Sequence, residues 1–140
     1  MRSTGLISMI LIAILLLPSL VLSGEKSGSG GYIATYFFTN VRCPSCLSIE
    51  RLTSTTIRDE FAPDIASGRL RWRTVNLDGE GNFHYVKDYK LFTKSVIISQ
   101  VVDGKEVRWK NLEKVWELLR NEGKFKKYVK DEVASFMVSP

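Results

Sequence analysis

Residues Tyr32 to Glu50 read YIATYFFTNVRCPSCLSIE, and the pattern of hydrophobic residues changes within this stretch at its two cysteines. The first seven residues are aromatic and β-branched with no helical period, which predicts a largely buried strand ending at Thr39-Asn40. Pro44 follows Cys43 directly, and a proline at the first helical position loses nothing because that amide has no partner inside the helix. A helix opened there places Ile49, Leu52, Thr56 and Phe61 on one stripe and Glu50, Arg51, Arg58 and Asp59 elsewhere. Pro63 and Gly68 are expected to stop it.

The cysteine pair therefore lies where a buried strand enters a helix, and that address bears on its chemistry. Unpaired amides and the positive end of the helix dipole favour a thiolate at Cys43, whose pKa is expected below the free value of ~8.5. Arg42 is the neighbouring cation and modulates the pKa in the same direction. Cys46, one turn deeper, is better shielded. The asymmetry makes Cys43 the attacking sulfur and Cys46 the resolving one in thiol-disulfide exchange.

Two other readings use the same residues. As a purely structural bridge, a loop of ~4 residues contributes only ~2 kcal/mol by the chain-entropy argument, against ~4 to 5 kcal/mol for a loop of ~100 residues. As a metal site, the pair lacks the further ligands that zinc needs, because His84 is the single histidine and there is no second CxxC. A copper(I) carrier holding its ion between the Cys43 and Cys46 thiolates is the surviving metal alternative. With one histidine and no glycine-rich phosphate loop, no further catalytic group and no cofactor are expected. His84 itself reads as a surface residue, and Trp72, Trp109 and Trp116 as packing residues.

Downstream, Leu70 to Leu77 alternates apolar with charged or polar residues as a half-exposed strand does. Asp78 to Asn82 is a turn, followed by a short helix with Phe83, Val86 and Tyr89 inward. Ser95 to Val102 is a strongly apolar strand, joined to KEVRW by Asp103-Gly104, a pair that tolerates the positive φ of a tight hairpin. Asn111 is expected to cap a helix over LEKVWELLR, interrupted at Asn121 to Gly123. A last helix, KFKKYVKDEVASFM, aligns Phe125, Tyr128 or Val129, Val133 and Phe136. This order predicts an α/β fold with a central mixed sheet flanked by helices and an additional C-terminal helix.

The chain begins with one cation, Arg2, an apolar run from Met9 to Leu17 and the small-residue sequence VLSG. That order predicts a signal peptide or N-terminal membrane anchor over residues 1–23, with membrane association possible through residues 6–22. Residues 24–31 form a polar linker and 32–140 one domain, so the domain is expected to be exported, either secreted or membrane-tethered. The net charge of +5 includes the clusters Arg69 to Arg73 and Lys124 to Lys127, whose spacing reads as solvated faces; nucleic acid is not an expected partner.

The strand ATYFF, CPSC opening a helix, the apolar strand with its hairpin and the C-terminal helix resemble the thioredoxin-like superfamily. YFFTNVRCPSCLSIE, YKLFTKSVIIS and GKEVRWKNLEKVWELL are similar to the small thioredoxin-like proteins labelled nitrophenyl compound nitroreductase subunits. The resemblance implies a redox-active disulfide between Cys43 and Cys46. It also implies protein thiols or disulfides as partners, with a membrane electron donor for an exported reductase. The label implies a thiol donor, or a redox accessory subunit without independent activity, in the reduction of nitroaromatic compounds. Two features depart from the thioredoxin pattern: Thr93, Lys94 and Ser95 stand where a cis-proline faces the CxxC, and Phe37 stands where a buried acid lies six positions before the first cysteine. Proton handling for Cys46 then falls to water or Glu50.

Overall fold

The computed structural model describes residues 30–140; the expected signal segment and most of the expected linker lie outside them. Strand β1 (Gly31–Phe38) begins one residue earlier than its sequence pattern indicates, with Gly31 already paired to Val101. It leads through a short loop into α1 (Pro44–Glu60), which has Pro44 in its first turn and Cys43 as its cap. The predicted stripe holds: Ile49, Leu52, Thr56 and Phe61 are all buried.

Pro63 does not act as the stop. The helix breaks at Phe61 (φ −122°, ψ 28°), and Pro63 falls in the first turn of a second short helix, α2 (Ala62–Ala66), where its missing N–H is not needed. Gly68, at φ +75°, then turns the chain into β2 (Leu70–Asn76). After α3 (His84–Asp88), β3 (Ser95–Val102) and β4 (Lys105–Asn111) form a hairpin. Asp103 and Gly104 at its tip take φ +51° and +77°, the left-handed pair that matches strand twist in a two-residue turn.

The four strands lie in the order β2-β1-β3-β4. β2 is parallel to β1, the arrangement that a helical crossover such as α1 permits, while β3 and β4 are antiparallel to their neighbours. One face of the sheet buries Ala34, Tyr36, Leu70, Val96 and Ile98 against α1 and the closing helix α4 (Glu122–Val138). Phe125, Val129, Val133 and Phe136 form the α4 stripe, as expected. The opposite face holds a smaller cluster of Phe37, Leu77, Tyr89, Leu91 and Ile97 beside α3.

Two local expectations are corrected. Phe83 is 75% exposed, and Tyr89 supplies the buried ring after α3, with Tyr85 and Val86 packed partly beside it. Asn111 ends β4 instead of capping a helix, and LEKVWELLR forms two 3₁₀ turns, Glu113–Val115 and Leu118–Arg120, neither with a side-chain cap. Leu112 and Val115 are both buried three residues apart, and a three-residue repeat brings such a pair to one side more closely than α-helical winding does. Asn121 caps α4 by accepting from the Lys124 N–H at 2.9 Å. Among the described residues no helix is long and apolar enough to cross a membrane.

Candidate redox site

The loop between β1 and α1 is tied down before it reaches the first cysteine. Leu77 N–H donates to the Phe38 carbonyl at 2.7 Å, Asn40 N–H to Asp78 Oδ2 at 2.7 Å, and Asn76 Nδ2 to Asn40 Oδ1 at 2.8 Å. These bonds fasten the end of β1 to the end of β2 and aim the chain at the N-terminus of α1.

Cys43 and Cys46 are joined by a disulfide, S–S 2.08 Å, with Cα atoms 5.0 Å apart. Cys43 Sγ also caps the helix, accepting from the Cys46 N–H at 3.1 Å, so this sulfur sits among amides that the helix leaves unpaired. Cys43 is part-exposed, whereas Cys46 is 1% exposed. Of the two bonded residues Cys43 is therefore the more open to solvent.

Three side chains surround the base of the motif. Tyr36, fully buried on β1, donates its hydroxyl to the Cys46 carbonyl at 2.9 Å. Its pKa is pushed up to about 12, chiefly by burial, with Arg42 opposing and Glu50 adding to the rise. It is thus a neutral, fixed donor at physiological pH. Arg42 lies with its guanidinium 4.2 Å from the Phe38 ring centroid and forms an ion pair with Glu50, each side chain about 28% exposed. Arg42 Nε is buried and has no partner. Arg42 is next to Cys43 in the chain, as a neighbouring cation, and its charge is matched by a carboxylate one helical turn beyond Cys46.

Tyr36 was missed as a site residue because counting back from the cysteines points to Phe37. Strand parity supplies the signal: Tyr36 shares a face with Ala34 and packs toward α1, while Phe37 packs in the cluster on the other face.

Thr93 to Ser95 contain no cis peptide, nor does any other described residue. Ser95 Oγ donates to the Thr93 carbonyl at 2.9 Å, and Trp116 Nε1 donates to the Lys94 carbonyl at 2.9 Å. A cleft of about 250 Å³ runs from Thr39, in the loop before the cysteines, to Leu77, Leu91 and Thr93. Phe92, 99% exposed, stands at its edge.

The remaining sequence candidates lie elsewhere. His84 Nδ1 is 2.6 Å from the Gly81 carbonyl and its Nε2 is 3.8 Å from Asp88. Trp72 and Trp116 pack against the main core, and Trp109 meets Tyr89 edge-on at 5.2 Å. In the basic clusters, Arg69 pairs with Asp64, Lys126 with Glu122 and Lys127 with Asp131, while Arg73 donates to Thr35 Oγ1. Among the described residues no group of three or more His, Cys, Asp or Glu side chains is arranged to hold a metal ion. A two-thiolate set, present only after reduction of the bridge, is what this site offers a soft ion.

No protein-family model matches the chain, and no curated protein does. Solved structures are similar to it at low identity. Trxlp from Edwardsiella tarda EIB202 is 19% identical, with 73% of this chain and 84% of that one covered and a TM-score of 0.44. A thioredoxin from Trypanosoma brucei brucei is 21% identical, covering 74% of this chain and 76% of that one, TM-score 0.42. A Fasciola hepatica thioredoxin is 18% identical, covering 72% and 80% respectively, TM-score 0.39. The fold assignment rests on the topology itself. A parallel β1-α1-β2 unit, an antiparallel hairpin and a closing helix, in the sheet order β2-β1-β3-β4, make a thioredoxin-like fold with a CxxC disulfide at its strand-to-helix junction.

Proposed function

We propose that the protein is a thiol-disulfide oxidoreductase in which Cys43 is the attacking sulfur and Cys46 the resolving one. The observation that carries this reading is the unequal burial of two bonded cysteines, the more open one capping a helix N-terminus.

In the reductive direction, the Cys43 thiolate attacks one sulfur of a substrate disulfide. The substrate S–S bond breaks, its other sulfur leaves as a thiolate and takes a proton, and a mixed disulfide forms. Cys46 loses its proton and attacks Cys43 Sγ, which breaks the mixed bond and releases the second substrate thiol. Two electrons pass from the cysteine pair to the substrate, and the bridge seen here is the product. The reverse sequence transfers the bridge to a substrate dithiol.

Protein thiols or disulfides are the proposed partners, because a part-exposed cysteine at the end of a loop, with an open cleft reaching that loop at Thr39, suits an extended chain better than a small enclosed ligand. The N-terminal apolar segment supports an exported setting, secreted or tethered, where a reductase draws electrons from a membrane donor. Within that setting the likeness to nitroreductase subunits supports a role as thiol donor or accessory subunit.

The test is capture with glutathione disulfide. Cys46→Ser, which leaves the accessible sulfur free, is expected to form a stable mixed disulfide detected by intact mass. Cys43→Ser is expected to react at least tenfold more slowly. Equal rates, or no adduct with either variant, overturn the assignment.

A further inference from the structure

Arg42 and Glu50 are eight residues apart yet paired, and the pairing depends on the path of the β1-α1 loop. Arg42 precedes the attacking sulfur directly. Glu50 stands four residues after Cys46 on α1, and side chains so spaced are neighbours on one helix face. Tyr36, bonded to the Cys46 carbonyl, feels both charges with opposite sign, so carboxylate and guanidinium lie within electrostatic reach of the Cys46 backbone. The Phe38 ring under Arg42 fixes the guanidinium plane. A cation held this way acts on Cys43 as one half of a dipole.

We propose that the Arg42–Glu50 ion pair sets the reduction potential of the Cys43–Cys46 couple, Glu50 holding it below the value that an uncompensated Arg42 would produce. This rests on the exchange role proposed above. The physical chain is short. The reduced state carries a thiolate at Cys43 and the oxidised state carries no charge there, so any net charge nearby stabilises one state over the other. An unopposed cation favours the reduced form and makes the bridge a stronger oxidant; an unopposed carboxylate does the reverse. Cation and carboxylate together leave the helix N-terminus as the main influence. Neither side chain touches the reacting sulfurs in this role; both are positioning residues.

Opposite signs for the two single variants provide the test. The bridge is equilibrated in a glutathione redox buffer, or in a dithiothreitol buffer if glutathione is too weak a reductant. The reduced fraction is read by alkylation and mass spectrometry. Glu50→Gln is expected to raise the equilibrium constant for reduction by roughly threefold to tenfold, where tenfold corresponds to about 30 mV for a two-electron couple. It is also expected to lower the pH midpoint for Cys43 alkylation. Arg42→Gln is expected to shift both quantities the other way, and the double variant to return within about twofold of the native protein. A purely structural role would move both singles in the same direction; that result, or no movement in either, overturns the proposal. A bridge that fails to equilibrate with any thiol buffer in the native protein would instead defeat the exchange role itself.

Discussion

The two faces of the sheet are unequally covered. On one, α1, α4 and the 3₁₀ turns bury a cluster of 16 residues; on the other, the five-residue α3 and its flanking loops bury five. The redox bridge belongs to the deep side. Cys46 is sealed at the start of α1 and Tyr36 donates to its carbonyl from β1, so the buried cysteine is held beside the larger core cluster. The thin side leaves Phe83 and Phe92 in solvent on the connections around α3. The contrast is one of burial: a sealed seat for one cysteine on the deep side, and open apolar surface in the loops of the other.

The strongest way to break that contrast is to empty each face in turn. Phe125→Ala on the deep side is expected to lower unfolding free energy by about 4 to 5 kcal/mol in urea titrations. Phe37→Ala on the thin side should cost nearer 3 kcal/mol, because its shallow surroundings can collapse or admit water. A larger loss at Phe37 would mean that the small cluster supports the fold more than its extent indicates.

Reducing the bridge should matter less to stability, at about 2 kcal/mol or below, since the loop it closes is so short. Urea titrations with and without reductant check this; a loss above 4 kcal/mol would make the bridge a structural element first.

The two buried tyrosines sharpen the comparison, one on each face. Tyr36 has its pKa raised to about 12, mainly by burial, and Tyr89 is raised further by burial and by its 2.6 Å hydrogen bond to Glu106. A raised acid favours the folded state while it stays neutral. That contribution is complete below the unfolded tyrosine value of ~10 and is lost as pH rises through the folded value. Stability is therefore expected to fall between about pH 10 and 12. Far-UV circular dichroism in urea across that window checks this, and Tyr36→Phe should flatten part of the decline.

The legible parts of this protein are those set by local chemistry. Residues 32–38 read as a strand because a run of aromatic and β-branched side chains packs well on a pleated surface, and β1 is that strand. Pro44 after Cys43 reads as a helix start because only there does a proline lose no hydrogen bond. Asp103-Gly104 reads as a hairpin because few residues accept two consecutive positive φ values.

Other features had no local signature. Whether Pro63 stopped a helix or opened the next depended on how the chain bent at Phe61. Whether LEKVWELLR wound as α or 3₁₀ depended on seating Leu112 and Val115 under the sheet.

By itself the sequence determined the four strands, the two long helices, their order and the place of the two sulfurs, since propensity, proline chemistry and turn dihedrals act over a few neighbouring residues. Only the tertiary structure decided that Arg42 meets Glu50, that the Tyr36 hydroxyl reaches the Cys46 carbonyl, and that Cys46 is sealed while Cys43 stays part-exposed. Those outcomes depend on the path of a loop and on what packs against a strand and a helix, contacts that no local pattern encodes.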